Sequence, residues 1–378
     1  MSVEITRPQW IRERLQSHLS HYLSSLEPNN ADSIEIGHFE RPAGGQSNET
    51  ILFDAKWSVG SVTHEIGLVV RLQPSSNQIF LDADVLKEGW LLQDLSEHSD
   101  VPVPNVIAVE EDPEILGRPF FLMTRVKGHV PGGRPSIHRD PWLAALEPMQ
   151  RRSVLSNGLR ALADVHRVDW RQLRNFASFN AEEGLARELD HLDRWYRWVS
   201  QDRKFEFIEA GLSAITVSPP PVDEMVLLWG DARPGNIIFG EDLTVAAVID
   251  WEIATVGPRS QDLGWWLMMQ EFADRGAEGY LLDGLPTGEE FVALYLEITD
   301  TNPRHLEYFV LLASLRLAIT LIPVADSLMI RKILPRESRF AHDNVPTQMV
   351  AHQLGITEPE LSQDYRRLSR MRDRKTAI

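Results

Sequence analysis

Hydrophobic residues change their period several times along the chain. Ile11, Leu15, Leu19, Tyr22 and Leu26 recur near helical spacing, which predicts an amphipathic helix over residues 9–26. Ile34 and Ile36 alternate as in a strand, and Ile51, Phe53, Ala55 and Trp57 line one face of a second. A turn at Gly60 leads to a third strand over 66–72. Leu81, Val85, Leu92 and Leu95 predict a helix over 81–96, and Val101-Pro-Val-Pro104 then imposes a rigid extended break. Residues 106–109 and 120–123 read as two further strands, joined by a turn at 110–113.

After Gly128 the period becomes helical. Val154, Leu155, Leu159 and Leu162 mark a helix over 151–168, near whose end His166 reads as a packing or capping residue. Leu185, Leu189, Leu192 and Trp195 stripe a helix over 185–199, with Asp190 and Asp193 off the stripe. Residues 226–252 interrupt this pattern with three short apolar runs, a polar loop and a turn at 239–242, which predicts buried strands. Asp262 opens the next helix, through Trp265, Trp266 and Met269; capping is its plainer role, tying down the preceding loop the other. Thr287-Gly-Glu-Glu290 fits a capping box, and Asn302-Pro303 fits an N-cap followed by proline at the first helical position. The order of elements makes the chain α+β, with a strand-rich lobe over residues 1–123 and a mainly helical lobe over 124–378.

Composition narrows the class. At 378 residues the chain is long for one compact domain, in keeping with two lobes. An apolar content of 43% with 11 Trp supports a sizeable core. The net charge of −17 argues against a nucleic-acid partner, whose phosphates need a basic surface. Without Cys, neither a disulfide framework nor a thiolate metal site is available. Glu4, Arg7, Arg12 and Glu13 occupy the region where a secretory signal would be apolar, and Arg316 and Asp326 interrupt the longest apolar stretch. The expectation is a cytoplasmic protein with no membrane partner. The basic stretch 366–375 reads as a solvated helix end or terminus.

The candidate chemistry sits in VLLWGDARPGNIIFGEDLTVAAVIDWE, residues 226–252. Asp231 and Asn236 have the D-x-x-x-x-N spacing of a kinase catalytic loop, and Asp250 falls where a metal-binding Asp follows on the next strand. Phosphoryl transfer needs those types together. One carboxylate orients the attacking hydroxyl, while a carboxylate and an amide oxygen hold Mg²⁺, a hard cation shared with nucleotide phosphates. Asp231 suits the first task, Asn236 and Asp250 the second. Upstream, Gly44-Gly45-Gln46-Ser47-Asn48 lies between two strands, where a glycine-rich turn can bring backbone N–H groups close to phosphates; an ordinary hairpin has the same look. Arg71 ends the third strand, at the position of a nucleotide-binding Lys, and Glu88 could pair with it from the following helix. Residues 123–126 are the candidate hinge between lobes, whose backbone could meet an adenine edge.

These stretches resemble the aminoglycoside/choline phosphotransferase family, a branch of the protein-kinase-like fold. The resemblance rests on GGQSNET (44–50), VVRL (69–72), Glu88, the PVP break, FFLMTRVKG (120–128), WGDARPGN (229–236), IDWE (249–252) and DLGWW (262–266). It implies a small antiparallel-sheet lobe and a larger helical lobe with ATP and Mg²⁺ between them. It implies Asp231 as catalytic base, with Arg233 neutralising the moving phosphoryl group. It implies Asn236 and Asp250 as metal ligands, and nucleotide contacts from Gly45, Ser47, Asn48, Arg71, Glu88, Met123, Thr124 and Val126. Two positions depart from the family: Trp229 stands in place of His, and Arg71 in place of Lys, the latter as in members associated with acyl-CoA dehydrogenases. The implied activity is transfer of the γ-phosphoryl group of ATP to a hydroxylated small molecule. An aminoglycoside held by Asp190, Asp193 and Glu252 is one acceptor, a hydroxyacyl or sugar-like metabolite a second, and a silent nucleotide-binding module the remaining alternative.

Overall fold

The computed structural model of the chain describes residues 8–23, 34–40, 49–74, 78–132, 136–180, 184–221 and 224–371. The first lobe runs α1 (Pro8–Tyr22), β1 (Ile34–Ile36), β2 (Glu49–Val59), β3 (Val62–Leu72), α2 (Val85–His98), β4 (Val106–Glu110), α3 (Pro113–Leu116) and β5 (Phe120–Thr124). The strands form one antiparallel sheet in the order β1-β2-β3-β5-β4. Alternation along β3 gives its two faces different neighbours. Leu68, Val70 and Leu72 share a core with Ile11, Leu15 and Leu19 of α1, whereas Val69 packs with Val85, Leu92 and the helical lobe. Arg71 has the parity of Val69, so the pleat itself turns its side chain toward α2 and the second lobe.

Local chemistry sets the element ends. The expected helix over 81–96 begins later, at Val85, because the Asp84 carboxylate accepts the Leu86 and Lys87 amides at 3.0 and 3.4 Å. The expected turn at 110–113 gives way to α3, where Asp112 caps and Pro113 takes the first helical position.

The second lobe comprises α4 (Pro141–Ala145), α5 (Pro148–Val165), α6 (Gly184–Ser200), α7 (Glu206–Val217), β6 (Met225–Leu228), β7 (Ile237–Phe239), β8 (Val245–Val248), β9 (Thr255–Pro258), α8 (Ser260–Gly276), α9 (Gly288–Thr299), α10 (Leu306–Ile330), α11 (Val345–Gln353) and α12 (Gln363–Met371). Two small antiparallel pairs, β6 with β9 and β7 with β8, lie among these helices. The capping box at Thr287 forms as expected. The expected cap at Asn302 does not: α10 starts at Leu306, after His305 in a left-handed conformation. By length and composition α10 could cross a membrane, but 56% of its apolar window is buried. It packs against α6, α7, α8 and α11, as a core helix does.

Candidate active site

The loop after β6 is held from beneath. Asp262, in the first turn of α8 and fully buried, accepts the backbone N–H groups of Trp229 at 2.7 Å and Gly230 at 3.0 Å. His166 approaches the same carboxylate through Nε2 at 3.4 Å, and its Nδ1 meets the Tyr295 hydroxyl at 2.5 Å. Asp262 is therefore a tether and not the helix cap; Arg259 occupies the N-cap position. Gly230 has φ +89°, and a Cβ there would lie 2.4 Å from the Ile253 carbonyl oxygen, so only glycine fits. Trp229, the departure from His, donates its indole N–H to the Ile249 carbonyl at 3.0 Å. Ile249 in turn donates its amide to the Asn236 carbonyl at 3.0 Å. The loop carrying Asp231 and Asn236 is thus laced to the segment carrying Asp250.

Asp231 is oriented by three side chains. Arg233 Nε donates to both carboxylate oxygens at 3.0 and 3.1 Å, Trp265 Nε1 to Oδ1 at 2.9 Å, and Asn236 Nδ2 to Oδ2 at 2.6 Å. Burial opposes the charge of Arg233, but Asp231 and then Asp250 more than offset it and hold the guanidinium above its usual range. Trp265 is the partner that sequence reasoning gave no role. Its ring also lies 5.0 Å from the Arg316 guanidinium, which is buried and has Glu188 at 3.6 Å.

Across from this loop, Arg71 gathers three acids. Its Nη1 lies 3.3 Å from Glu88 and 3.0 Å from Asp250, Nη2 also donates to Asp250 at 3.1 Å, and Glu252 is 3.8 Å away. Burial works against the guanidinium, yet Glu88, Asp250 and Glu252 together keep it charged well above its ordinary range. Burial pushes Glu88 up to about 7, against the lowering pull of Arg71. Glu88 also accepts the Trp251 amide at 3.3 Å. Asp250 itself adopts φ +67°, uncommon for a residue with a side chain, a strain that persists where the surrounding structure over-determines the backbone.

The structure thus brings Arg71, Glu88 and Asp250 into one cluster, and Asp231, Arg233 and Asn236 into another. Met123 lies in β5 opposite Val69, and Val126 follows the strand end. Thr124 spends its amide and hydroxyl on Asn105, so it secures the strand end with the polar groups expected to face a nucleotide. Gly45, Ser47 and Asn48 lie outside the described residues. Of the three acids expected to hold ammonium groups, Asp190 pairs with Arg194 and Asp193 with Arg197, each at 2.9 Å on the surface of α6, and Glu252 lies 3.8 Å from Arg71.

A model of the phosphotransferase enzyme family matches residues 38–295. The chain belongs to that family. It is 27% identical over 311 residues to acyl-CoA dehydrogenase family member 10 of Mus musculus, covering 78% of this chain and 27% of that protein. It is 27% identical over 319 residues to acyl-CoA dehydrogenase family member 11 of Gallus gallus, covering 80% and 38%. The chain therefore spans about a third of the length of these relatives. Among solved structures it resembles a Ralstonia eutropha JMP134 protein provisionally classed as an aminoglycoside phosphotransferase, with TM-score 0.65, 19% identity and coverage of 90% and 98%. It also resembles a Plasmodium vivax ethanolamine kinase, with TM-score 0.51, 13% identity and coverage of 90% and 86%. The fold is α+β and protein-kinase-like, with an antiparallel-sheet lobe and a helical lobe.

Proposed function

We propose that the protein transfers the γ-phosphoryl group of ATP to a hydroxyl of a small metabolite, with Asp231 as the group that accepts or orients the hydroxyl proton. The supporting observation is the Asp231 carboxylate held by Arg233, Trp265 and Asn236 on a loop laced to Asp250. A nucleotide is consistent with a neighbouring fold, a thermostable mutant of aminoglycoside phosphotransferase APH(4)-Ia, solved with ADP and hygromycin B at TM-score 0.53. The residues suit Mg²⁺. Asn236 turns its Nδ2 onto Asp231, which frees Oδ1 as a donor, and Arg71 engages only one oxygen of Asp250. Few protein ligands suffice, because this ion keeps waters and phosphate oxygens in its shell. When bound, it would neutralise charge on the phosphates. Arg71, steadied by Glu88, would contact the nucleotide phosphates, and the backbone of 123–126 the base.

For the acceptor, a hydroxyacyl metabolite fits this chain better than an aminoglycoside. Asp190 and Asp193 are already paired with arginines on the surface of α6, so they do not offer open carboxylates to a polycationic drug. The relatives that carry acyl-CoA dehydrogenase names point the same way. Substrate-dependent ADP release over aminoglycosides, sugars, amino alcohols and hydroxyacyl thioesters decides between them. Turnover is expected with a hydroxyacyl thioester and should fall ~10²–10⁴-fold in Asp231→Ala, the usual worth of a general base. Binding of Mg·ATP with no turnover across the panel would leave a silent nucleotide-binding module.

A further inference from the structure

The geometry points to a second ligand site, on the helical lobe and separate from Asp231 and Asp250, that takes the phosphate group of a small molecule and communicates with the loop after β6. It stands independently of the proposed phosphoryl transfer. A cavity of about 500 Å³ opens where α5 ends, β6 begins and α9 ends. That volume lies within the ~300–1,000 Å³ of ordinary small-molecule sites. His166, Arg167, Arg171, Glu224, Arg259 and Thr301 are among the residues that line it, and the polar partners of Asp231 and Arg71 among the described residues are all others.

The chemistry of the wall selects the ligand. The chain carries a net charge of −17, yet three guanidiniums face this one cavity, against the carboxylates of Asp169 and Glu224. Arg171 lies over the Trp170 ring at 4.3 Å, and that indole is itself fixed by its N–H to the Met225 carbonyl at 3.1 Å. Asp169 reaches Arg171 only at 3.7 Å, and both side chains are more than half exposed. Arg167 is positioned by the Ile298 carbonyl at 2.6 Å and by Asp164. Arg259 is divided between Glu224 and the Tyr295 hydroxyl at 3.4 Å, and its buried Nε has no partner. Guanidinium forks clasp phosphate oxygens in pairs, and a guanidinium stacked on an aromatic ring loses little further freedom on binding. Three forks on separate mounts suit a tetrahedral dianion better than a planar carboxylate.

The connection to the loop is equally specific. Arg259 touches Tyr295, Tyr295 bonds His166, and His166 meets Asp262, whose carboxylate holds the Trp229 and Gly230 amides. The His166 ring is itself fully buried, so the cavity reaches this series through Arg259. A dianion that draws Arg259 from Tyr295 changes the first contact of this series and, through the rest, the ease with which the loop opens.

Inorganic phosphate is the probe. Titration calorimetry at constant ionic strength should give one phosphate per chain in the parent and in Arg71→Met, with affinity at least tenfold weaker in Arg171→Glu and in Arg167→Glu. Saturating phosphate should change hydrogen exchange at the Trp229 and Gly230 amides about threefold or more. Absence of binding, equal binding in both cavity variants, or loss of binding in Arg71→Met would overturn the site. Binding with unaltered exchange at those two amides would overturn the connection.

Discussion

Asp262→Asn isolates the tether from everything else at the site. The substitution preserves shape and removes one acceptor: of the Trp229 and Gly230 amides, one keeps an oxygen partner and the other faces an N–H₂ group. A hydrogen bond to a charged acceptor is worth ~1.5–3 kcal/mol, and here the abandoned amide is buried beside a carboxylate site with no exposure to solvent. Each kcal/mol moves the melting midpoint of a domain of 150–250 residues by ~2–4 °C, so the expected loss is ~3–12 °C. The loop also shifts, and a displacement near 1 Å costs about 10²-fold in a positioned reaction. Differential scanning calorimetry and steady-state kinetics on the same preparation test both parts. A variant that melts and turns over like the parent would refute the tether.

Other perturbations address single contacts. Trp265→Phe keeps an aromatic side chain but deletes the N–H donor to Asp231, so kcat should fall ~10-fold, and the melting point should drop as well because the smaller ring underfills a buried position; unchanged kcat would remove Trp265 from the site. Gly230→Ala places a methyl group 2.4 Å from the Ile253 carbonyl at a positive φ, and the urea midpoint should reveal a loss of ~2 kcal/mol or more. Glu88 titrates at about 7 in the folded chain against ~4.3 unfolded. Its contribution to stability is therefore full below the unfolded value and is lost as pH rises toward 7. Its salt bridge to Arg71 needs the ionised form, so turnover should decline as pH drops below about 7. Glu88→Gln should abolish that acid limb while lowering turnover throughout; a retained limb would assign it to another group.

What was legible in the sequence was local. WGDARPGN and IDWE place their side chains through spacings of a few residues, and the alternation of β3 turns Arg71 toward α2 whatever the rest of the chain does. What was not legible depends on distant partners. Asp262 reads as a cap because helix-opening acids usually are, and its actual donors lie 32 and 33 residues earlier. Trp265 is one of two adjacent indoles with equal apolar pattern; only the packing decides that it, and not Trp266, reaches Asp231. Asn302-Pro303 carries a sound cap signal, but the chain bends again at His305 before the helix begins. The arginine-lined cavity draws on α5, β6 and α9, whose residues have no periodic relation at all.

The left-handed backbone of Asp250 has an implication for how such a protein would change under selection. Glycine would relieve the backbone there, but it would also remove the carboxylate that accepts both Nη groups of the buried Arg71, a loss of ~3–5 kcal/mol against the ~1–3 kcal/mol that a positive φ costs. A population bred only for survival at high temperature, with its product supplied from outside, should therefore keep this aspartate for the sake of the pair alone.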